Sequence, residues 1–143
     1  MFLGFTETQK PQKTSRLKQK KSKLLFCKTC GKRISDMRYL TSVDGGSPNR
    51  VFRNPNGDLY EIITLSDCEG LQETSPPILK ETWFAGYPWV VLQCSSCLTH
   101  LGWRWENPSR IPSLFYGLIR ERLVEKENRF TFLSELPLGS FPT

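Results

Sequence analysis

The fold of this chain is decided by two short segments, Cys27-Lys28-Thr29-Cys30 and Cys94-Ser95-Ser96-Cys97. Structural zinc sites take four thiolate or imidazole ligands in a tetrahedron, and two residues between paired cysteines let both sulfurs reach one ion. Gly31 follows the first pair and can form the tight turn that such a zinc knuckle needs. We therefore predict that Cys27, Cys30, Cys94 and Cys97 hold one structural Zn²⁺ ion.

The distance between the pairs and the cysteine count both bear on that prediction. Because 63 residues separate Cys30 from Cys94, a shared ion would close a loop that a small core could not hold alone. Five cysteines, four of them paired in sequence, favour metal ligation in a reducing compartment over a disulfide framework. Two disulfides or two redox-active pairs are the alternative. Cys68 is interpreted as a bystander thiol, and His100 as a packed or hydrogen-bonded side chain rather than a ligand.

The net charge of +6 is concentrated at one end of the 143-residue chain. Residues 1–25 contain seven Lys or Arg and one acid, whereas residues 26–143 contain 13 basic and 13 acidic side chains. We therefore predict a disordered basic tail over residues 1–24, a zinc-binding ligand domain over 25–125 and a C-terminal extension over 126–143. A nuclear-localisation or anion-binding use of the tail is the alternative.

The chain carries neither of the two sequence patterns of a membrane or secreted protein. No apolar run approaches the roughly 18–20 residues that span a bilayer. The first residues lack the basic segment and the apolar stretch of a signal peptide. We therefore expect a cytoplasmic or nuclear protein with no membrane partner.

Short β-type runs alternate with turn residues along the chain. The turn at residues 54–57 lies between two β-branched or aromatic runs and predicts a hairpin. Residues 114–119 are interpreted as a last strand, or as the start of a short helix that continues to residue 123. The other predicted strands are residues 51–53, 60–65, 89–92 and 100–105. The chain is therefore predicted to be mainly β.

All four tryptophans lie within 23 residues, and two interpretations are open. Four indoles this close together could simply form a core. The segment Trp83-Phe84-Ala85-Gly86-Tyr87-Pro88-Trp89 instead places four aromatic residues around a glycine and a proline, which is typical of a turn. Trp103 follows the second cysteine pair closely, so the zinc would hold it opposite that turn. Rigid indoles that face one another form a dry slot for a compact saturated ring or an alkylated cation.

Several motifs occur in a fixed order: Cys27-x-x-Cys30, Asn54-Pro55-x-Gly57, Trp83-Phe84-x-Gly86-Tyr87-x-Trp89 and Gln93-Cys94-x-x-Cys97-x-x-His100-x-Gly102-Trp103. In this order and spacing they resemble the cereblon-type thalidomide-binding (CULT) domain. The likeness extends to Phe115-x-Gly117-Leu118 and covers about residues 24–125. The tryptophan segment together with the second cysteine pair is specific to that family, whereas the cysteine pairs alone are not.

This resemblance implies a β-tent, in which two antiparallel sheets meet at one structural zinc. It also implies an aromatic cage for the glutarimide ring of thalidomide-type ligands, with hydrogen bonds from the imide to the backbone around Glu81 and Trp83. An imide has one N–H between two carbonyls, so a backbone C=O and N–H can match it without a charged side chain. The implied ligand-binding residues are Trp83, Trp89 and Trp103 as walls, Trp105 as the floor, Asn54 and Pro55 near the mouth, and Glu81.

Three departures from the family pattern matter. Glu81 stands where the family has a histidine that also contacts the ligand, so recognition by that side chain is expected to differ. Pro88 replaces a small residue and is expected to stiffen the turn. The Lon-like domain and the helical segment that docks to a ubiquitin ligase have no counterpart in these 143 residues. Ligase-adaptor activity is therefore not expected of this chain.

We expect a stand-alone, non-enzymatic module that binds a small cyclic imide, either free or at a modified protein C-terminus. A yippee-like chromatin or RNA adaptor is the alternative, and nucleic-acid binding is otherwise expected only of the basic tail. A methionine sulfoxide reductase-like enzyme would share the β-tent and the zinc pairs, but it needs a catalytic cysteine after the second pair. No cysteine follows Cys97, which argues against this reading.

Overall fold

A computed structural model describes residues 22–127, which are mainly β, as predicted. Two single turns of 3-10 helix, Met37–Tyr39 and Arg120–Arg122, interrupt the strands. The strands in chain order are β1 (Lys23–Cys27), β2 (Arg33–Asp36), β3 (Asn49–Arg53), β4 (Leu59–Leu65), β5 (Leu71–Glu73), β6 (Trp89–Cys94), β7 (His100–Glu106), β8 (Leu114–Ile119) and β9 (Leu123–Glu127).

The strands form two sheets. The small sheet has the order β2-β1-β9, and the large sheet has the order β3-β4-β8-β7-β6-β5. Each pair of neighbours in the large sheet runs antiparallel, and so do β1 and β2. This architecture confirms the predicted β-tent of two antiparallel sheets.

The predicted hairpin is confirmed, and its turn explains the sequence motif there. The side chain of Asn54 accepts a hydrogen bond from the N–H of Asp58 at 2.8 Å. Gly57 has φ +92°, a backbone conformation that residues other than glycine rarely adopt. Residues 114–119 form a strand rather than a helix, because β8 pairs with both β4 and β7 in the middle of the sheet. The helical alternative survives only as the single turn Arg120–Arg122.

The large sheet carries a core on each face. Side chains alternate between the faces along a strand, so Ile62 and its neighbour Ile63 pack into different cores. The zinc-side core joins both sheets and contains Leu25, Cys27, Ile34, Ile63, Leu65, Cys94, Leu101, Leu118 and Leu123. The aromatic core on the other face contains Val43, Ile62, Phe84, Tyr87, Trp103, Trp105, Phe115 and Ile119.

A β-bulge in β7 changes the face on which its side chains lie. The register shifts between Leu92 and Gln93, since Leu92 pairs with Gly102 while Gln93 pairs with His100. Leu101 is therefore the extra residue of the bulge. It packs into the zinc-side core, although strict alternation would place it on the same face as Trp103. The bulge thus lets β7 supply both cores.

The predicted domain boundaries stay predictions. Most of the basic tail predicted at residues 1–24 and of the extension predicted at 126–143 lies outside the described residues. Leu24–Lys126 form one compact unit. In that part of the chain, no helix is long and apolar enough to cross a membrane.

Candidate functional site

The four predicted zinc ligands come together at one point. The sulfurs of Cys27, Cys30, Cys94 and Cys97 all lie within 4.8 Å of one another. Cys27 Sγ lies 3.6 Å from Cys97 Sγ, and Cys30 Sγ lies 3.5 Å from Cys94 Sγ. Zn–S bonds of about 2.3 Å in a tetrahedron place the sulfurs about 3.8 Å apart. The four thiols therefore fit one structural zinc ion, as predicted.

The zinc centre lies where the two sheets meet. Cys27 is the last residue of β1 in the small sheet, and Cys94 is the last residue of β6 in the large sheet. Cys97 lies in the turn that leads to β7. Its thiol contacts the Thr99 hydroxyl at 3.1 Å, and this hydrogen bond and the Thr99 backbone lower the pKa of Cys97 to about 6. Zinc requires the thiolate form of all four cysteines, and a bound ion itself stabilises that form.

A cavity of about 400 Å³ lies on the aromatic side of the large sheet. Every residue predicted to bind the ligand lines it, and three further residues complete the lining. The predicted residues are Asn54, Pro55, Glu81, Trp83, Trp89, Trp103 and Trp105, and the further ones are Tyr60, Val91 and His100. The structure brings these residues together, while their role in binding stays a prediction.

Two tryptophans form a corner of the cavity. The rings of Trp83 and Trp103 meet edge to face, with centroids 4.9 Å apart and an interplanar angle of 68°. Phe52 stacks on Trp83 at 4.8 Å and 6°, and Tyr60 meets Trp103 at 5.3 Å and 81°. Because Phe52 covers one face of Trp83, the opposite face is the one available to a ligand.

The other two tryptophans are each held by a hydrogen bond. Trp89 Nε1 donates to the carbonyl of Lys80 at 3.0 Å. Trp105 Nε1 donates to the Thr82 hydroxyl at 3.2 Å, and its indole is buried and stacks on Phe115 at 5.4 Å. Trp105 therefore has the position expected of the floor, and both indoles have fixed orientations.

Several backbone groups beside the cavity have no hydrogen-bond partner within residues 22–127, and an acceptor on Glu81 and a donor on Trp83 are among them. Glu81 has φ +59°, which is uncommon for a residue with a side chain and costs about 1 kcal/mol or more. Within residues 22–127, no hydrogen bond involves the C=O of Glu81 or the N–H of Trp83. Thr82 between them does bond, since its hydroxyl donates to the carbonyl of Tyr87 at 2.6 Å. Both groups belong to residues that line the cavity.

Tyr60, Val91 and His100 line the cavity although the sequence analysis did not assign them to it. Tyr60 pairs with Phe52 across the hairpin, so both rings lie on the face of the sheet that carries Trp103. The available signal was one aromatic residue in each strand of the predicted hairpin, Phe52 and Tyr60, at positions that pair with each other. Val91 also faces the aromatic core, from β6.

His100 is packed and hydrogen-bonded, and it is not part of the sulfur cluster. Its ring meets Trp103 edge to face at 4.8 Å, and its Nε2 lies 3.1 Å from the carbonyl of Gly102. Burial and the nearby Arg122 guanidinium lower the pKa of His100 below 6.5. The imidazole is therefore neutral near pH 7, with Nε2 as the donor to Gly102.

No family model matches the chain, but comparison with curated proteins finds relatives of one name. "Protein cereblon" of Danio rerio is 30% identical over 103 residues, which is 70% of this chain and 24% of the relative. The Gallus gallus protein of the same name is 30% identical over 105 residues, 71% of this chain and 24% of the relative. The Drosophila melanogaster protein is 27% identical over 99 residues, 66% of this chain and 17% of the relative.

The chain carries a cereblon-type (CULT) domain. It spans about a quarter or less of the length of the curated relatives that it matches. In this cereblon-type domain, the four-cysteine zinc centre and the tryptophan cavity are connected through β6 and β7. Cys94 ends β6, which begins at Trp89, and β7 carries Trp103 and Trp105. The second zinc knuckle therefore forms the connection between the two strands that carry these three indoles.

Proposed function

We propose that this cereblon-type domain binds a small cyclic imide, either as a free glutarimide or thalidomide-type molecule or at the C-terminus of a modified protein. The observation that carries the proposal is the free C=O of Glu81 next to the free N–H of Trp83. The imide N–H would donate to Glu81, and one imide carbonyl would accept from Trp83. Such a donor and acceptor favour a ligand that satisfies both, because an unmade hydrogen bond costs free energy once the ligand displaces water.

The tryptophan side chains of the cavity suit the apolar part of a glutarimide ring. The saturated carbons of a glutarimide are apolar and would contact the indoles of Trp83, Trp89 and Trp103, which line the cavity. The cavity volume of about 400 Å³ lies within the usual range of roughly 300–1,000 Å³ for small-molecule sites. Asn54 and Pro55 on the hairpin turn would contact the group that the ring carries.

We propose a binding module rather than an enzyme, acting in the cytoplasm or nucleus, where thiols stay reduced. Burial raises the pKa of Cys68 to about 12, which makes this thiol a poor nucleophile. The neutral His100 directs its N–H at the carbonyl of Gly102, which supports a packing role. No cysteine follows Cys97, so this chain lacks the catalytic cysteine that a sulfoxide reductase-like enzyme needs after the second pair.

Titration of the zinc-loaded protein with glutarimide, followed by tryptophan fluorescence and calorimetry, tests the proposal. We expect saturable quenching and competition between glutarimide and thalidomide. N-methylglutarimide is the matched control ligand, because it keeps the ring and loses the N–H that Glu81 would accept. Trp89→Ala is the wall variant and should weaken binding by about 2–4 kcal/mol. Absence of binding by calorimetry, with zinc and the thermal transition intact, would overturn the proposal.

A further inference from the structure

Glu81 gives the cavity a negative charge. Among the ten residues that line it, Glu81 is the one with a formal charge, because His100 is neutral. Other carboxylates of the described chain form ion pairs, such as Glu69 with Arg33 at 3.1 Å. Within residues 22–127, no ion pair or hydrogen bond involves the carboxylate of Glu81. An exposed residue whose carboxylate has no partner within residues 22–127 thus lines an aromatic cavity.

The aromatic walls add to that negative potential. The faces of indole and phenol rings carry partial negative charge and attract cations. Trp83 and Trp103 form a near-perpendicular corner. Trp89 lines the same cavity without ring contact to either in the described chain, so the space lies between Trp89 and that corner. Three indoles around one space form the type of cage that recognises quaternary ammonium groups.

Two cations near the cavity, Arg122 and Lys80, are not among the residues that line it. Arg122 lies over the ring of Tyr60 at 5.9 Å and donates to the carbonyl of His100 at 2.8 Å, and it is not among the lining residues. Lys80 precedes Glu81 in the chain, but its side chain is exposed and does not line the cavity.

We propose that this cage also binds a compact methylated ammonium cation, with the indoles around the methyl groups and the Glu81 carboxylate beside the charge. This chemistry is shared by a free quaternary amine and by a trimethylated lysine side chain. The ligand class goes beyond the cyclic imide and uses a different part of Glu81. The imide would use the backbone carbonyl of Glu81, whereas the cation uses its carboxylate.

The experiment compares choline with 3,3-dimethylbutan-1-ol, which replaces the charged nitrogen by carbon at the same shape. On the zinc-loaded protein, we expect choline to bind about tenfold more tightly than the alcohol and to compete with glutarimide. Glu81→Gln should weaken choline binding about three- to fivefold and leave binding of the uncharged alcohol unchanged. Added salt should weaken choline binding and not glutarimide binding, because only the former depends on charge.

The outcomes separate the two ligand classes and the two sources. Equal binding of choline and the alcohol, or glutarimide binding without choline binding, overturns the cation proposal and leaves the imide proposal standing. Choline binding without glutarimide binding supports the cation and overturns the imide. A trimethyllysine peptide that binds more tightly than choline, with its unmethylated form as control, identifies a protein source. Choline binding that exceeds peptide binding identifies a free amine.

Discussion

Gly31 and Leu98 occupy equivalent positions in the two zinc knuckles. Gly31 donates its N–H to the carbonyl of Cys27 at 2.7 Å, and Leu98 donates to the carbonyl of Cys94 at 2.9 Å. Both have left-handed backbone conformations, with φ +83° and φ +66°. Glycine adopts this conformation freely, whereas the Cβ of leucine crowds the following carbonyl. The second knuckle therefore contains strain that the first does not.

Replacing these two residues should have opposite effects. Gly31→Ala should lower the free energy of unfolding of the zinc-loaded protein by about 1 kcal/mol. Its cause would be backbone strain alone, because no atom lies within 4 Å of the added Cβ. Leu98→Gly should raise that free energy by about 0.5–1 kcal/mol, since the Leu98 side chain is 57% exposed and loses little burial. Denaturant unfolding measures both, and a destabilised Leu98→Gly would contradict the strain at Leu98.

The zinc centre should be required for folding. Purified protein should contain one zinc per chain, and Cys94→Ala should remove the cooperative thermal transition, because structural zinc supplies much of the folding free energy of a small domain. Cys68→Ala is the matched control and should keep both the zinc and the transition. Metal analysis with circular dichroism tests this, and a folded Cys94→Ala without metal would contradict it.

His100 should make the stability of the domain depend on pH. Its pKa in the folded protein lies below the ordinary value of 6.5, so the unfolded chain binds more protons in that range. The contribution of neutral His100 is therefore complete above pH 6.5 and falls as the pH decreases below it. His100→Gln keeps a donor for Gly102 and should reduce the slope of unfolding free energy against pH below 6.5. Equal slopes in the two proteins would show that His100 is not responsible.

Gly117 should be needed for the floor of the cavity. A Cβ at this position would lie 2.5 Å from the Trp105 ring and 2.9 Å from Cδ1 of Ile62. Gly117→Ala should therefore displace the Trp105 indole, lower the unfolding free energy by about 1–3 kcal/mol and weaken imide binding. Chemical denaturation, near-ultraviolet circular dichroism and ligand titration measure the three effects. Unchanged near-ultraviolet spectra would show that the ring does not move.

Glu81→His should test how the side chain at this position contributes to imide binding. A carboxylate cannot donate to an imide carbonyl, whereas a histidine N–H can. We expect Glu81→His to strengthen glutarimide binding by roughly 1 kcal/mol, the usual net value of one hydrogen bond. Glu81→Ala removes the charge without adding an N–H donor and serves as the control. Calorimetry that gives equal affinities for wild type and Glu81→His would mean that the backbone alone acts here.

The sequence by itself determined the zinc centre, five of the nine strands and seven of the ten residues that line the cavity. The two cysteine pairs have a spacing that few structures other than a zinc knuckle require, and turn residues such as Asn54 and Gly57 specify a hairpin through local geometry. Each cysteine pair and the hairpin turn depend on a few neighbouring residues, so a sequence pattern is enough to recognise them. The motif match placed seven residues at one site, and all seven line the same cavity.

Only the tertiary structure determines which faces of the aromatic rings and which unpaired backbone groups lie at that cavity. The bulge at Leu101 places this side chain in the zinc-side core. No local sequence pattern predicts the bulge, because a bulge arises from the pairing of two segments of the chain. Phe52 stacks on Trp83 from a hairpin about 30 residues away in the chain. The left-handed backbone at Glu81 occurs at a non-glycine residue, and the packing of Thr82 beside Trp105 accompanies it. These contacts join residues far apart in sequence, so only the folded chain defines them.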